Sequence, residues 1–415
     1  MLGGVILLNN LVLNGSLDAS KLHNIYIQSA DGSFLFDNNS NKFIDLNSGL
    51  WNVTIGNDKE FNNEIKKKII EIFENNLPYL DISSYNNNLY DDTAEKLLHF
   101  TNNDKLIYTS MFFTNSGSES VELSYKLTRS IVKDKKIITL KDSYHGTFYG
   151  GMALSGITKS YVEGHRPDYT NISNWKLPIG KEEQSNFFNK LNESKSEIGA
   201  VFLEPIICSG GIKYSDLSFY NKLMSFCEEN NIITIFDEVA TGFYKTGKRF
   251  FFNHLELAPD ILCLSKGINN GTLPSGAVLI NKKVKQKLND TVGEHFSTQN
   301  GNLLCIKTIE TTLDYYEKHE ENIIETVKYI EKIINTIAGI YDVDIRNFGL
   351  MTGIPISKKE ILYKIQEKLR ASKILTFCYE TEENQGLLIM PNINIDKSIF
   401  EKSLVYIMKL VSKME

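Results

Sequence analysis

Two stretches of the sequence decide its fold: Ile232-Ile233-Thr234-Ile235-Phe236-Asp237-Glu238-Val239 and Ile261-Leu262-Cys263-Leu264-Ser265-Lys266-Gly267. In each of them a short apolar run is followed at once by polar residues. Similar apolar runs occur at residues 137–140 and 200–203, and stretches with helical spacing separate several of the runs. Strands that are apolar along their whole length are typical of parallel sheets covered by helices on both faces. Residues from about 115 to 300 therefore predict a large α/β domain around a mostly parallel sheet.

The two ends of the chain differ from this middle part. Residues from about 25 to 55 read as short strands separated by turns. After residue 301, a helical pattern covers residues 303–337, and its charged residues between 317 and 321 mark either an exposed side or a break. Two α+β units follow, which suits a small α+β domain built from both chain ends. The expected division is an N-terminal part of the small domain at 1–55, the large domain at 56–305 and a C-terminal part of the small domain at 306–415.

Composition and charge exclude several classes of function. A net charge of −6 offers no overall field for nucleic acid or for an anionic membrane. Five cysteines without a CxxC pair argue against a disulfide framework and a structural zinc site, and the seven histidines form no ligand cluster. The apolar opening, residues 1–8, lacks a basic leader and is too short to span a bilayer. We expect a cytoplasmic protein that binds no metal, nucleic acid or membrane.

The segment Asn115-Ser116-Gly117-Ser118-Glu119-Ser120 ends an apolar run and begins an amphipathic helix. A Ser-Gly-Ser turn at a helix N-terminus presents backbone N–H groups, hydroxyl donors and the positive end of the helix dipole. These features together suit a phosphate dianion. The alternative is an ordinary serine N-cap without a ligand.

Two ionisable residues come directly after buried strands. Asp237 lies where a carboxylate at the carboxyl end of a parallel strand faces the crevice in which α/β sheets bind ligands. It could hold a metal, orient a base or pair with a protonated ring nitrogen, or it could only cap the next turn. Lys266 follows the other strand, where partial removal from water and cationic neighbours would lower its pKa and make its amine nucleophilic. The alternative is a surface lysine in a glycine-rich loop.

A phosphate turn, a carboxylate and a nucleophilic lysine at successive strand ends match the needs of pyridoxal 5′-phosphate (PLP). The turn anchors the phosphate, the carboxylate keeps the pyridine nitrogen protonated, and the lysine binds the aldehyde as a Schiff base. The segment Tyr144-His145-Gly146 adds an aromatic ring that can stack on the pyridine.

In the order of its motifs, the chain resembles the class III aminotransferases over about residues 25–410. The motifs that carry the resemblance, in the order typical of that family, are segments 115–120, 144–146, 203–205, 237–243, 246–248 and 265–267. The resemblance implies a fold type I PLP enzyme, with a sheet of the seven-stranded type in its large domain. It also implies an aminotransferase of the ω-amino acid or amine type.

The resemblance further implies which residues bind the phosphate. Ser116, Gly117 and Ser118 form the phosphate turn. Thr298 resembles the threonine that reaches the phosphate of the neighbouring subunit's cofactor, although Leu303 stands where the family has a proline. A homodimer with shared active sites is therefore expected.

The roles around the cofactor ring are implied in the same way. Tyr144, with His145 beside it, stacks on one face of the pyridine, and Val239 packs against the other. Asp237 pairs with the pyridine nitrogen, and Glu204 lies next to it as a supporting acid.

Lys266 is then both the covalent anchor and the general acid/base, so Lys266, Asp237 and Tyr144 form the expected catalytic set. The expected reaction is a ping-pong transfer of an amino group from an amine or amino acid donor to a keto acid or aldehyde acceptor. Racemases and aminomutases share these motifs, so isomerisation of a single substrate is the alternative.

Two features bear on the substrate. Ser48-Gly49-Leu50-Trp51 resembles a substrate-pocket strand, which places Trp51 in the pocket unless it is a core tryptophan. Many family members hold a substrate carboxylate with an arginine in the stretch that corresponds to residues 374–379. This chain has no arginine there, and the nearest is Arg370 on the preceding helix. The difference argues against a simple α-amino acid held through its carboxylate.

Overall fold

The computed structural model describes residues 25–102, 105–157, 162–288 and 295–415. Its strands are β1 Ile27–Asp31, β2 Phe34–Asp37, β3 Lys42–Asp45, β4 Tyr108–Thr114, β5 Lys136–Leu140, β6 Ile172–Trp175, β7 Ile198–Leu203, β8 Ile233–Asp237, β9 Ile261–Leu264, β10 Gly276–Asn281, β11 Arg346–Phe348, β12 Met351–Ile356, β13 Ile374–Leu375, β14 Phe377–Glu380 and β15 Gln385–Ile389. Its principal helices are α1 Lys59–Glu74, α2 Asn88–Asn102, α3 Gly117–Val132, α4 Tyr149–Leu154, α5 Lys181–Ser194, α6 Leu217–Glu229, α7 Lys282–Leu288, α8 Leu303–Ile340, α9 Lys359–Ala371 and α10 Lys397–Met414.

A seven-stranded sheet in the order β4-β10-β9-β8-β7-β5-β6 forms the centre of the molecule. The neighbours from β9 to β6 run parallel to one another, and β10 runs antiparallel to both β9 and β4. Strands β7, β8 and β9 are buried along their whole length, as expected for a sheet covered on both faces. The predicted α/β architecture is therefore confirmed, with one antiparallel strand inserted beside β9.

Helix α3 places its N-terminus at the edge where the parallel strands end. The hydroxyl of Ser116 caps the helix by accepting the N–H of Glu119 at 3.1 Å. The helix then continues one turn beyond Arg129 and ends at Val132, where Lys133 takes a left-handed conformation (φ 51°).

The long helix α8 is unbroken, so the charged residues near 320 do not interrupt it. Glu317, Lys318 and Glu321 are exposed, whereas Tyr316 on the opposite side is fully buried. Glu320 differs from its exposed neighbours because it forms an ion pair with Arg249 at 2.6 Å. The charges therefore mark one solvated face of an amphipathic helix.

Two four-stranded sheets flank the central one. The first has the order β1-β2-β3-β13, in which β13 from the C-terminal region pairs parallel with β3 from the N-terminal region. The second, in the order β11-β12-β15-β14, is antiparallel. The two α+β units expected after α8 are present as β12 with α9 and β15 with α10.

The prediction of a substrate-pocket strand at Ser48–Trp51 is wrong. The segment is a single left-handed turn, in which Ser48, Gly49, Leu50 and Trp51 all have φ between 46° and 66°. The carboxylate of Asp45 holds the turn by accepting the N–H groups of Asn47 at 2.8 Å and Gly49 at 2.9 Å. These bonds replace the ladder bonds that a strand would make.

None of the described helices is both long enough and apolar enough to cross a bilayer. The apolar opening at residues 1–8, and with it residues 1–24 of the expected small domain, lies outside the described residues.

The ion pair that joins α8 to the loop after β8 should contribute measurably to stability. Arg249 donates twice to Glu320, at 2.7 and 2.6 Å, and once to the carbonyl of Phe100 at 3.0 Å. Because this pair is only partly exposed, we expect Arg249→Ala to cost about 2 kcal/mol of unfolding free energy. Lys59→Ala, which removes the exposed pair of Lys59 with Asp31, is the matched control and should change stability little. Thermal unfolding of both variants checks this, and equal shifts would contradict it.

Candidate active site

A cavity of about 390 Å³ lies at the carboxyl ends of the parallel strands. All the residues predicted to form the site line it, except Thr298: Trp51, Ser116, Gly117, Ser118, Tyr144, His145, Glu204, Asp237, Val239 and Lys266. They come from six separate parts of the chain, which the order of the strands brings to one edge of the sheet.

One wall of the cavity is the N-terminal turn of α3. A Cβ atom on Gly117 would lie 2.8 Å from Cγ1 of Val239, so only glycine lets this turn pack so close to the end of β8. The hydroxyl of Ser120 donates to the carbonyl of Leu264 at 3.1 Å and fastens the start of the helix to β9. The first N–H groups of a helix have no partners within it, so those of Gly117 and Ser118 are suited to an anion.

The loop after β5 forms a second wall. Gly146 (φ 89°) packs against the phosphate turn so tightly that a Cβ atom would lie 2.5 Å from the hydroxyl oxygen of Ser118. The backbone N–H of Tyr144 donates to Glu204 at 3.1 Å. The ring of Tyr144 lines the cavity and remains 38% exposed, as a stacking platform requires.

Asp237 ends β8 and is almost fully buried. Its Oδ1 accepts the N–H of Val239 at 3.1 Å, and its Oδ2 lies 2.9 Å from Nδ1 of His145. A carboxylate offers about four acceptor positions, so Asp237 can still accept another N–H from the cavity. Among the described residues, Nε2 of His145 has no hydrogen-bond partner. The pair thus presents an oriented carboxylate in a nearly dry site.

Glu204 lies close enough to Asp237 and His145 to interact with both of them electrostatically. It accepts the N–H groups of Cys208 at 3.0 Å and Tyr144 at 3.1 Å. Burial raises its pKa to about 7, with His145 opposing that change and Asp237 adding to it. Near neutral pH, Glu204 is therefore partly protonated, which limits the negative charge that gathers beneath the cavity.

Lys266 stands directly after β9 in a left-handed conformation (φ 46°). Its Nζ lies 4.8 Å from the centre of the Trp51 ring. Burial lowers the pKa of Lys266, and the neighbouring Cys208, Glu204 and Asp237 oppose that change. The amine is thus closer to its neutral, nucleophilic form than an exposed lysine would be.

The cavity is lined by the kinds of group that PLP requires. They are the N-terminal turn of α3 as an anion site, the carboxylate of Asp237 and the amine of Lys266. Tyr144 and Val239 are available to flank a flat ring. Glycine at 117 matters for this fit, because a Cβ atom there would clash with Val239.

Thr298 is not brought into this cavity. It is exposed in a turn next to Ser297, which lines a neighbouring cavity of about 670 Å³. Arg370 is exposed on α9 and does not line the active-site cavity.

Two apolar residues next to Trp51 line the cavity without having been predicted from the sequence. Phe377 lies in the stretch where an arginine was sought, and its ring meets Trp51 edge to face at 6.0 Å. Leu50 lines the same end. The sequence carries no signal for either, since an apolar residue in a short strand or turn is usually part of a core.

The family model described as "Aminotransferase class-III" matches residues 17–403. An acetylornithine aminotransferase of Aquifex aeolicus (strain VF5) is 30% identical over 360 residues, with coverage of 83% of this chain and 89% of that protein. An adenosylmethionine-8-amino-7-oxononanoate aminotransferase of Staphylococcus aureus (strain NCTC 8325 / PS 47) is 30% identical over 401 residues, with coverage of 89% and 86%.

Solved structures show the same fold. An amine transaminase from an uncultivated Pseudomonas species, in its PLP-bound form, superposes with a TM-score of 0.86 at 21% identity over 98% of each chain. A transaminase from the marine bacterium Virgibacillus gives a TM-score of 0.86 at 21% identity, over 95% of this chain and 94% of that one.

Proposed function

The chain belongs to the class III aminotransferases and is a PLP-dependent enzyme, and from that premise we propose that Lys266 is its catalytic lysine. The observation that carries this proposal is the position of Lys266 in the cavity, after β9 and beside the phosphate turn and Asp237. The names of the relatives favour transamination over the isomerisation of a single substrate.

When bound, PLP supplies a protonated ring that withdraws electrons from the substrate carbon. The residues of the chain hold and serve that ring. Asp237 would accept the ring N–H, and His145 keeps Asp237 in place at 2.9 Å. Tyr144 and Val239, which both line the cavity, would restrict the ring from its two faces. Lys266 would hold the cofactor between turnovers and, once free, move a proton to and from the substrate carbon.

At the other end of the cofactor, the turn at residues 116–118 binds the phosphate through its N–H groups and hydroxyls. The close packing of Gly117 and Gly146 leaves no room for the turn to shift. The donor and the acceptor would then be bound one after the other in the same cavity, and Lys266 would move the proton in each half-reaction, as a ping-pong mechanism requires.

We further propose that the substrate is an amine or a long amino compound with no carboxylate next to its amine. The substrate end of the cavity is apolar, formed by Leu50, Trp51 and Phe377. No arginine of the described residues lines it. Of the compounds in the relatives' names, acetylornithine and 8-amino-7-oxononanoate are long amino compounds, whereas adenosylmethionine carries a carboxylate beside its amine and does not support this proposal.

The enzyme is proposed to act as a homodimer with shared active sites. Apolar side chains are exposed near the cavity mouth and the Thr298 turn, notably Tyr149 (63%) and Phe296 (60%), with Leu50 and Phe148 beside them. Exposed apolar groups of this size suit burial against a second copy. Thr298 lies on the same surface, where it could reach the partner's phosphate.

The division into residues 1–55, 56–305 and 306–415 also stays a proposal, supported by the parallel pairing of β13 with β3. A cytoplasmic location is proposed as well, supported by the five cysteines, which are all free.

Lys266→Ala should abolish turnover and also the borohydride-stable link between the cofactor and the chain. Lys245 is the strongest competitor, because burial and the charge of Lys266 lower its pKa to about 7. Peptide mapping after reduction distinguishes the two lysines, and a labelled Lys245 peptide would end the assignment.

Asp237→Asn should retain PLP but lose activity about 100-fold or more, since a neutral amide cannot stabilise the protonated ring.

Pentylamine should be converted faster than norleucine, which is the same chain with a carboxylate added beside the amine. The apolar end of the cavity offers that carboxylate no counter-charge, so its desolvation would be uncompensated. Phe377→Arg is the matched variant and should raise the rate with norleucine. The rate at which each amine bleaches the PLP absorbance band measures both effects. A response to small α-amino acids alone would show that another cation holds the carboxylate.

Mixed dimers test the shared sites. Lys266→Ala and Thr298→Glu chains are each expected to be inactive, the second because a carboxylate at that position repels the phosphate. If Thr298 serves the partner's cofactor, one site of the hybrid has an intact Lys266 and an intact Thr298. The hybrid should then regain up to about half of the wild-type rate. If Thr298 serves its own chain, every site carries a lesion and mixing restores nothing, despite proven hybrid formation.

A further inference from the structure

Glu119 occupies the third position of α3, where a glutamate three residues after a serine cap normally bonds back to the N–H of the cap residue. Here it does not. Its Oε2 accepts the backbone N–H of Asn115 at 2.8 Å and the side-chain amide of Asn115 at 3.1 Å. Its Oε1 lies 3.0 Å from Nε2 of His295. The carboxylate therefore binds two segments that are far apart in sequence.

The second segment is the turn that carries Thr298. From the same Asn115 amide, one bond runs to the hydroxyl of Ser297 at 3.3 Å and another to the side-chain oxygen of Asn300. Together with His295, these contacts attach the turn to Glu119 and Asn115 on both sides of Thr298. Thr298 itself remains exposed.

The charge state of Glu119 suits a fixed link. Burial opposes its ionisation, but the hydrogen bonds from His295, Asn115 and Asn300 outweigh burial and lower the pKa of Glu119 to about 2. The carboxylate is thus ionised throughout the working range of pH. The bonds of the carboxylate to Asn115 and His295 fix its orientation.

We propose that Glu119 is a positioning residue that fixes the phosphate turn of its own chain and the Thr298 turn relative to each other. If the dimer is as proposed above, on which this inference rests, one carboxylate sets phosphate binding in both active sites. It acts on its own chain's cofactor through residues 116–118 and on the partner's cofactor through Thr298. Neither role requires Glu119 to touch the cofactor.

A comparison of PLP with pyridoxal, which lacks the phosphate, tests the inference. Apoenzyme is titrated with each compound, and binding is followed by absorbance. Glu119→Gln keeps the shape but loses the charge, and it should weaken PLP binding about tenfold. Binding of pyridoxal should change less than about twofold, because pyridoxal makes no phosphate contact. A purely structural role for Glu119 would weaken both ligands alike.

Glu122→Gln is the matched control, since it removes the same charge from the same helix. Glu122 accepts the N–H of Gly150 at 2.7 Å and has no bond to the Thr298 turn. It should leave the ratio of PLP to pyridoxal affinity unchanged. If Glu119→Gln does not fold, His295→Leu removes the link from the turn side and should show the same selective loss for PLP.

The outcomes separate this inference from the proposed function. If wild-type enzyme binds PLP no better than pyridoxal, the proposed phosphate site is wrong, and the inference is wrong with it. Wild-type enzyme that prefers PLP, with a variant that keeps the full preference, would overturn the role of Glu119 alone. An equal loss for both ligands would overturn it as well.

A hybrid dimer tests the action on the partner's site. Wild-type chain is paired either with Lys266→Ala or with the double variant Lys266→Ala, Glu119→Gln. In both hybrids, borohydride can fix PLP only at Lys266 of the wild-type chain. The phosphate of that PLP is proposed to contact Thr298 of the other chain. The concentration of PLP that gives half-maximal incorporation should be several-fold higher with the double variant. Equal values would overturn the claim that one Glu119 serves two sites.

Discussion

The active site depends on one close approach of backbone to side chain. Gly117 at the start of α3 lies against Val239 and Ser265, so close that a Cβ atom would come within 2.8 Å of Val239 and 3.4 Å of Ser265. This contact presses the helix N-terminus onto the ends of β8 and β9. Because Asp237 and Lys266 stand within two residues of those strand ends, their distances to the phosphate turn are fixed by the sheet itself. The sheet order, with β8 and β9 adjacent and parallel, is therefore a precondition for the chemistry.

The same packing determines the electrostatics beneath the cavity. Two carboxylates, Asp237 and Glu204, and one amine, Lys266, are held in surroundings from which water is largely excluded. Burial raises the pKa of Glu204 to about 7 and lowers that of Lys266, so each group is moved towards its neutral form. Asp237 is held by contacts with His145 and with the N–H of Val239, which orient its carboxylate towards the place proposed for a protonated ring.

The sequence could predict the sheet and most of the site, and for a physical reason. The apolar runs before Asp237 and Lys266 indicate strands that are buried on both faces. The polar residues that follow them indicate a site at the strand ends. Each signal lies within a few neighbouring residues of the sequence. The antiparallel direction of β10 could not be predicted, because an apolar run carries no sign of its direction. The left-handed turn at Ser48–Trp51 was missed since it is held by Asp45 and by a bond from the Ser48 hydroxyl to the distant carbonyl of Met390. No role was predicted for Glu119, because its contact with His295 joins segments that are far apart in the sequence.

The two ends of the cavity are held by different means, and this difference bears on specificity. The phosphate end relies on backbone N–H groups and close glycine packing, which tolerate little change. The substrate end relies on a left-handed turn in which three of the four residues are not glycine, a conformation that costs roughly 1–2 kcal/mol per residue. Bonds from outside the cavity must offset that strain, and those of Asp45 and Met390 do so. The position of Trp51 next to Lys266 therefore depends on Asp45 and Met390, neither of which lines the cavity.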